Sequence, residues 1–257
     1  MDEIKELNKD QLLIKIFKNR EEMGKNAARD VAEKLLEILG KKGKANMAFA
    51  AAPSQNEFLS ELIKFRNIEW NKITAFQLDE YIGLEDGSPQ KFSTYLKDHL
   101  FDKVNFDKTY FIDQEKSSVT IEEKIKRYSD LLLKHPLDIA CIGIGENGHL
   151  AFNDPHVADF TDPQNVKKVC LDIPCRTQQV NDGCFKTICD VPTHALTMTI
   201  SAIISADYIY CVVPTKNKDQ AVSNCIKGEI EPKYPASILR NHKNAILYLD
   251  RDAASLI

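Results

Sequence analysis

Four short stretches concentrate the residues that can do chemistry. The first is GIGENGHLAFNDP, residues 143–155, which follows the apolar run LDIACI. Its three glycines and its final proline rule out a regular helix. His149 lies among them, with Asn147 and Asp154 near enough in sequence to orient its ring. Imidazole titrates near neutrality, so a histidine held this way can both take and give a proton. The second is Asp79, directly after FQL. A partly desolvated carboxylate at a strand end can act as a general base; the plainer alternative is a loop cap that bonds nearby N–H groups. The third and fourth, AAPSQNE and PTKNKD, suit an anion. A loop entering a helix offers free N–H groups, Ser54 adds a hydroxyl, and Lys216 or Lys218 with Arg176 could supply charge.

Other chemistries fit less well. GIGENG matches G-x-G-x-x-G, but that pattern is weak alone and HLAFNDP cannot be the first turn of a helix, so no nucleotide cofactor is expected. No His, Cys and carboxylate set has metal-ligand spacing, so no metal is expected either. The remaining histidines, at 99, 135, 156, 194 and 242, have no comparable setting.

Strands and helices must place these loops. Apolar runs NMAFAAA, ITAFQL, LDIACI, DYIYCVV and NAILYLD alternate with helical patterns, which predicts an open, mostly parallel α/β sheet covered on both faces. Ligands bind beyond the carboxyl ends of such strands, and the four stretches fall there. Residues 3–40 read as two helices, the second stopped at Gly40; SQNEFLSELIKF as a helix capped by Ser54; DEYIGLEDGSPQ as a polar loop. KFSTYLKDHLF and residues 121–134 read as helices, PASIL as a short one, and 156–192 as a long irregular segment that could be a lid. No repeat or linker divides the 257 residues, so one domain is expected.

Composition bounds the function classes. A net charge of −4 speaks against a nucleic-acid or anionic-membrane surface. No apolar stretch approaches the ~20 residues of a membrane helix. The start, MDEIKELNKDQLLIKIF, has no signal-peptide block. Seven cysteines, odd in number and without a C-x-x-C pair, read as reduced thiols, and a cytoplasmic protein is expected.

FQLDEYIGL, GIGENGHLAFNDP, HALTMTI and PASILRNH, in this order, resemble the glucosamine-6-phosphate deaminase family, whose wider superfamily includes the 6-phosphogluconolactonases. The resemblance implies a Rossmann-like fold, no redox cofactor, and conversion of D-glucosamine 6-phosphate and water to D-fructose 6-phosphate and ammonia. It makes Asp79 the base that moves a proton between C2 and C1. His149 becomes the group that opens the pyranose ring at O5, oriented by Asn147 and Asp154. It also makes Lys218, ten residues before Gly228, a phosphate ligand. Three departures stand out. Position 154 is Asp where the family usually has Glu, which shortens the carboxylate's reach. AAAPSQ replaces a T-G-[GS]-T-P phosphate loop, keeping the hydroxyl of Ser54 but placing Pro53, which has no N–H, where a glycine would be. The family's phosphate arginine falls near Asn181, and the nearest arginine is Arg176. A remodelled phosphate site is therefore expected. Preference for a galactosamine epimer, a lactonase activity, and a weakly catalytic sugar-phosphate sensor are the competing readings. Assembly as a homo-oligomer stays open.

Overall fold

A computed structural model describes residues 5–114 and 118–257. Its main sheet has eight strands: β1 Lys5–Lys9, β2 Leu12–Phe17, β3 Ala45–Phe49, β4 Ile73–Gln77, β6 Lys108–Tyr110, β7 Ile139–Ile142, β10 Tyr208–Val213 and β11 Ala245–Asp250. They run in the order β1-β2-β11-β10-β7-β3-β4-β6, and every pairing except β1–β2 is parallel. A second, antiparallel sheet joins β5 Asp79–Tyr81, β8 Val166–Cys170 and β9 His194–Met198 in the order β5-β9-β8.

The main sheet is buried on both faces because its strands are apolar at successive positions. Ala140, Ile142, Ile209, Cys211 and Val213 pack into one layer, while Ile139, Cys141, Tyr210 and Val212 pack into the other. This is the two-residue alternation of a strand with apolar partners on each side. α1 Arg20–Lys42, α2 Asn56–Leu62 and α3 Phe92–Leu96 cover the second layer. α4 Ile121–Lys134, α6 Ile200–Ile204 and α7 Asp219–Lys227 cover the first. α5 Ile173–Asn181 lies apart, its Cys175 packed with Tyr81, Phe152 and Phe185 against the small sheet.

Caps fix the helix ends. Asn19 accepts from the Glu22 N–H at the start of α1, and Thr120 and Glu123 form a reciprocal capping box on α4. α1 and α2 touch where Gly24 meets Glu57 and Phe58; a Cβ there would lie 2.6 Å from the Glu57 Cβ.

Several elements differ from expectation. The opening stretch is a hairpin, not a helix: Leu12, Ile14 and Ile16 are buried at every second position, and the turn at Asp10 and Gln11 has Asp10 at φ 52°. Residues 3 and 4 of that pattern lie outside the described residues. α1 runs past Gly40 and stops at Gly43, which takes the left-handed conformation at φ 71° and donates to the Leu39 carbonyl. Ser54 sits in a 3₁₀ turn, Pro53–Gln55, before α2 and does not cap it. The loop after β4 contains β5. KFSTYLKDHLF is helical, but α3 widens into a π turn over Lys97–Phe101. Within residues 156–192, β8 and α5 are ordered elements.

Candidate active site

Four neighbouring strands, β10, β7, β3 and β4, end along the same edge of the sheet. From β3 the chain builds outward through β4 to β6, then returns to lay β7 on the other side of β3. Loops leaving β3 and β7 therefore diverge and open a crevice, the place where open α/β sheets bind ligands. A cleft of about 880 Å³, its open mouth included, occupies it. That is room for a phosphorylated hexose. Residues 50–55, Asp79, the glycine loop with His149, and the loop carrying Thr215 and Lys218 form its walls, and Gln178, Gln179 and Asp182 of the α5 region lie over it.

The acid/base groups share this cleft. Pairing of β5 with β9 sets Asp79 opposite Thr197. Asp79 is only 6% exposed, and nothing among the described residues donates to its carboxylate. Burial, joined by the neighbouring charge of Glu80, pushes its carboxyl well above the usual carboxylate range. Glu80 is the opposite case: it accepts from the N–H groups of Tyr81, Phe92 and Ser93 and from Gln77 Nε2. Two adjacent carboxyls thus have different environments, one bare and one fully bonded.

His149 is held from behind. Its Nδ1 lies 2.7 Å from Asn147 Oδ1 and 3.0 Å from Asp154 Oδ1. Two acceptors on one nitrogen place the proton on Nδ1 and leave Nε2 to exchange protons. Asn147 Nδ2 in turn donates to Asp154 Oδ1 at 2.9 Å, so the three residues form a closed set. Asp154 is fully buried; burial alone would raise its carboxyl, but bonds from His149, Asn147 and the Asp172 N–H hold it below the usual range. The glycines serve this arrangement. A Cβ on Gly145 would come within 2.1 Å of the His149 ring, and Gly148 takes φ 88°. Asp154, one methylene shorter than Glu, still reaches the imidazole.

A buried lysine stands in the same cleft. Lys218 is 4% exposed with no partner for its ammonium among the described residues. Burial lowers its pKa, against the opposing influence of Asp182 and Glu146. A buried ammonium without a bonded partner invites an anion. Ser54 Oγ lies nearby in the wall and accepts from Gln55 Nε2 at 3.1 Å. Thr215, in the same loop as Lys218, sits at φ 82° and ψ 148°, a conformation that costs a β-branched residue about 1–3 kcal/mol. Both carboxylate oxygens of Asp250 accept its N–H, at 3.1 and 3.0 Å.

A line of polar contacts runs on around the rim. Thr215 Oγ1 donates to Asn217 Oδ1, Asn217 Nδ2 to Glu146 Oε1 at 2.6 Å, and the Glu146 N–H to Gln178 Oε1 at 2.8 Å. Gln178 Nε2 then donates to Asp182 Oδ2 at 3.2 Å.

Of the residues expected from sequence, Asp79, His149, Ser54 and Lys218 line the cleft, and Asn147 and Asp154 stand directly behind His149. Arg176 is not brought there. Its Nη2 donates to the carbonyls of Ile188 and Val191, at 2.6 and 2.9 Å, and so braces its own loop. Arg20, Gln178 and Gln179 line the cleft without having been expected, and Thr215 lines it within the expected PTKNKD stretch. Arg20 had one signal: a cation on the first residue of a helix, where acids are favoured. His149, Asp154 and Cys175 bring donor atoms within 4.8 Å of one another, a set that could in principle hold a metal ion. However, His149 Nδ1 and Asp154 already bond each other, and burial, aided by Asp154, pushes the Cys175 thiol far up. The set reads as a proton-transfer device.

Comparison with known proteins gives the same direction. The description "Glucosamine-6-phosphate isomerases/6-phosphogluconolactonase" belongs to the family profile that matches residues 18–248. A glucosamine-6-phosphate deaminase of Listeria monocytogenes is 36% identical over 230 residues, covering 88% of this chain and 95% of that one. One from Streptococcus sanguinis is 30% identical over 239 residues, covering 93% and 96%. Among solved structures, a monomeric glucosamine-6-phosphate deaminase superposes with a TM-score of 0.84 at 30% identity, covering 95% of this chain and 99% of that one. A 6-phosphogluconolactonase from Thermotoga maritima, at 17% identity and a TM-score of 0.74, shares the fold.

Proposed function

The chain belongs to the glucosamine-6-phosphate isomerase/6-phosphogluconolactonase family, and we propose that it converts D-glucosamine 6-phosphate and water to D-fructose 6-phosphate and ammonia. The observation that carries this reading is one cleft with a bare, buried carboxyl, a histidine backed by amide and carboxylate, and an unpartnered ammonium. Lys218 and Ser54 hold the 6-phosphate. His149, with Nε2 toward the sugar, takes the proton of the O1 hydroxyl and delivers it to O5 as the C1–O5 bond breaks, opening the ring to the aldehyde. Asn147 and Asp154 stabilise the imidazolium that forms transiently. Asp79, as carboxylate, takes the C2 proton of the open aldose and returns it at C1. C2 is then at the oxidation level of an imine; water adds there and ammonia leaves, giving the ketose. A sugar C2 proton is weakly acidic, so a positioned base of raised basicity is what the step needs. No redox group enters this sequence.

Action as one domain, in the cytoplasm, belongs to the same proposal. All seven cysteines are free thiols, and Cys141, Cys175, Cys211 and Cys225 are buried. No helix among the described residues is long and apolar enough to cross a membrane. Whether the chain acts alone or as a homo-oligomer is answered by its mass in solution.

The test is ammonia release from glucosamine 6-phosphate, run beside galactosamine 6-phosphate and a 6-phosphogluconolactone. Turnover of the first is expected; turnover of neither amino sugar overturns the reading. Asp79→Asn should lower kcat by at least about a thousandfold, the scale of losing an essential proton-transfer group, while the protein stays folded.

A further inference from the structure

Arg20 opens α1, at the helix end where the backbone dipole disfavours a cation. It nevertheless lines the cleft that Ser54 and Lys218 also line. Its Nη2 donates to the Pro53 carbonyl at 2.9 Å and to Glu57 Oε2 at 2.8 Å, so the guanidinium plane is pinned against the loop after β3. Its Nε is buried and has no acceptor among the described residues. A plain ion pair with Glu57 accounts for Nη2 but leaves Nη1, on the other edge of the guanidinium, without an acceptor among the described residues.

Three observations make this corner short of donors for a phosphate dianion. Pro53 contributes no N–H where the loop turns toward the cleft. Arg176 faces its own loop. Arg20 and Lys218 are the two basic side chains among the residues that line the cleft. We infer that Arg20 is the second cation of the phosphate corner, donating to a phosphate oxygen while Pro53 and Glu57 keep its plane in place. A guanidinium suits this task because its donors diverge in one rigid plane: one edge can stay on protein while another meets the anion. The charge would thus come from the first turn of α1, taking over from the region near Asn181 where the family resemblance had pointed.

This inference rests on the amino-sugar phosphate reading, and two measurements separate them. Ammonia release by the unaltered protein tests the reading; titration with inorganic phosphate tests Arg20 and needs no turnover. Arg20→Ala should weaken phosphate binding by about tenfold or more, the usual scale for losing a charged hydrogen bond. KM for glucosamine 6-phosphate should rise more than kcat falls. Arg20→Gln is the second variant: its amide can still donate to the Pro53 carbonyl, but it carries no charge. It should lose phosphate affinity as Arg20→Ala does. If Arg20→Gln binds inorganic phosphate as tightly as the unaltered protein, or if both variants lose thermal stability with an unchanged phosphate dissociation constant, Arg20 only braces the loop and the inference is overturned.

Discussion

Asp79 stands in its cleft without a donor, and this sets how the protein responds to pH. Its carboxyl is raised above the ordinary range by burial and by Glu80. In the folded state it therefore keeps a proton at pH values where the unfolded chain has lost it. Folded-state proton binding exceeds unfolded-state binding between those two pKa values, so Asp79 makes stability fall as pH rises through that window. Asp79→Asn removes the effect. Its melting temperature should exceed that of the unaltered protein, by a margin that grows with pH across the window and is smallest in acid. A margin independent of pH would contradict the environment described. If Asp79 is the base proposed above, the same displacement should move the acidic limb of the rate profile upward, because only a carboxylate can take the C2 proton. Asp79, His149, Asn147 and Asp154 were legible in the sequence because they closely follow apolar strand runs in local, chemically dense motifs. Arg176 and Arg20 were misjudged or missed because side-chain direction decided them. The first depends on how α5 turns against its following loop, and the second on α1 packing against α2.

Elements were legible where burial and period agreed. Doubly buried strands such as β7 and β10 read directly from their apolar runs, and α4 from its helical pattern. The opening hairpin did not, since KELNKDQLLIKIF fits apolar spacings of both two and three to four over so short a span. β5 was missed because three residues, two of them acidic, give no apolar pattern; its partner β9 lies more than a hundred positions away. α1 and α2 illustrate a requirement that sequence alone hides. Gly24 lets the two helices approach until a Cβ would lie 2.6 Å from Glu57 Cβ and 2.8 Å from the Phe58 nitrogen. Gly24→Ala gains helix propensity yet should destabilise the protein by about 1–3 kcal/mol through overpacking, measurable by denaturant unfolding. A gain in stability would mean that α2 shifts freely. Because Glu57 also holds Arg20, the same substitution should weaken phosphate binding.

At the scale of the molecule, a two-faced parallel sheet supplies rigidity and its switch point supplies the opening, so the residues lining the cleft come from several segments along one edge. The order β10-β7-β3-β4 was implied by the βα alternation only as a class. Which loops converge followed from the return of the chain to β7, a long-range choice that no local signal encodes. The rim contacts from Asp250 through Thr215, Asn217, Glu146 and Gln178 to Asp182 join loops that leave different strands of the sheet. Loops tied in series cannot loosen one at a time. In native-state hydrogen exchange, the amides of Thr215 and Glu146, both bonded to side chains on other segments, should open with one shared free energy and one shared denaturant dependence. Asn217→Ala, which cuts the line in the middle, should split that single opening into two.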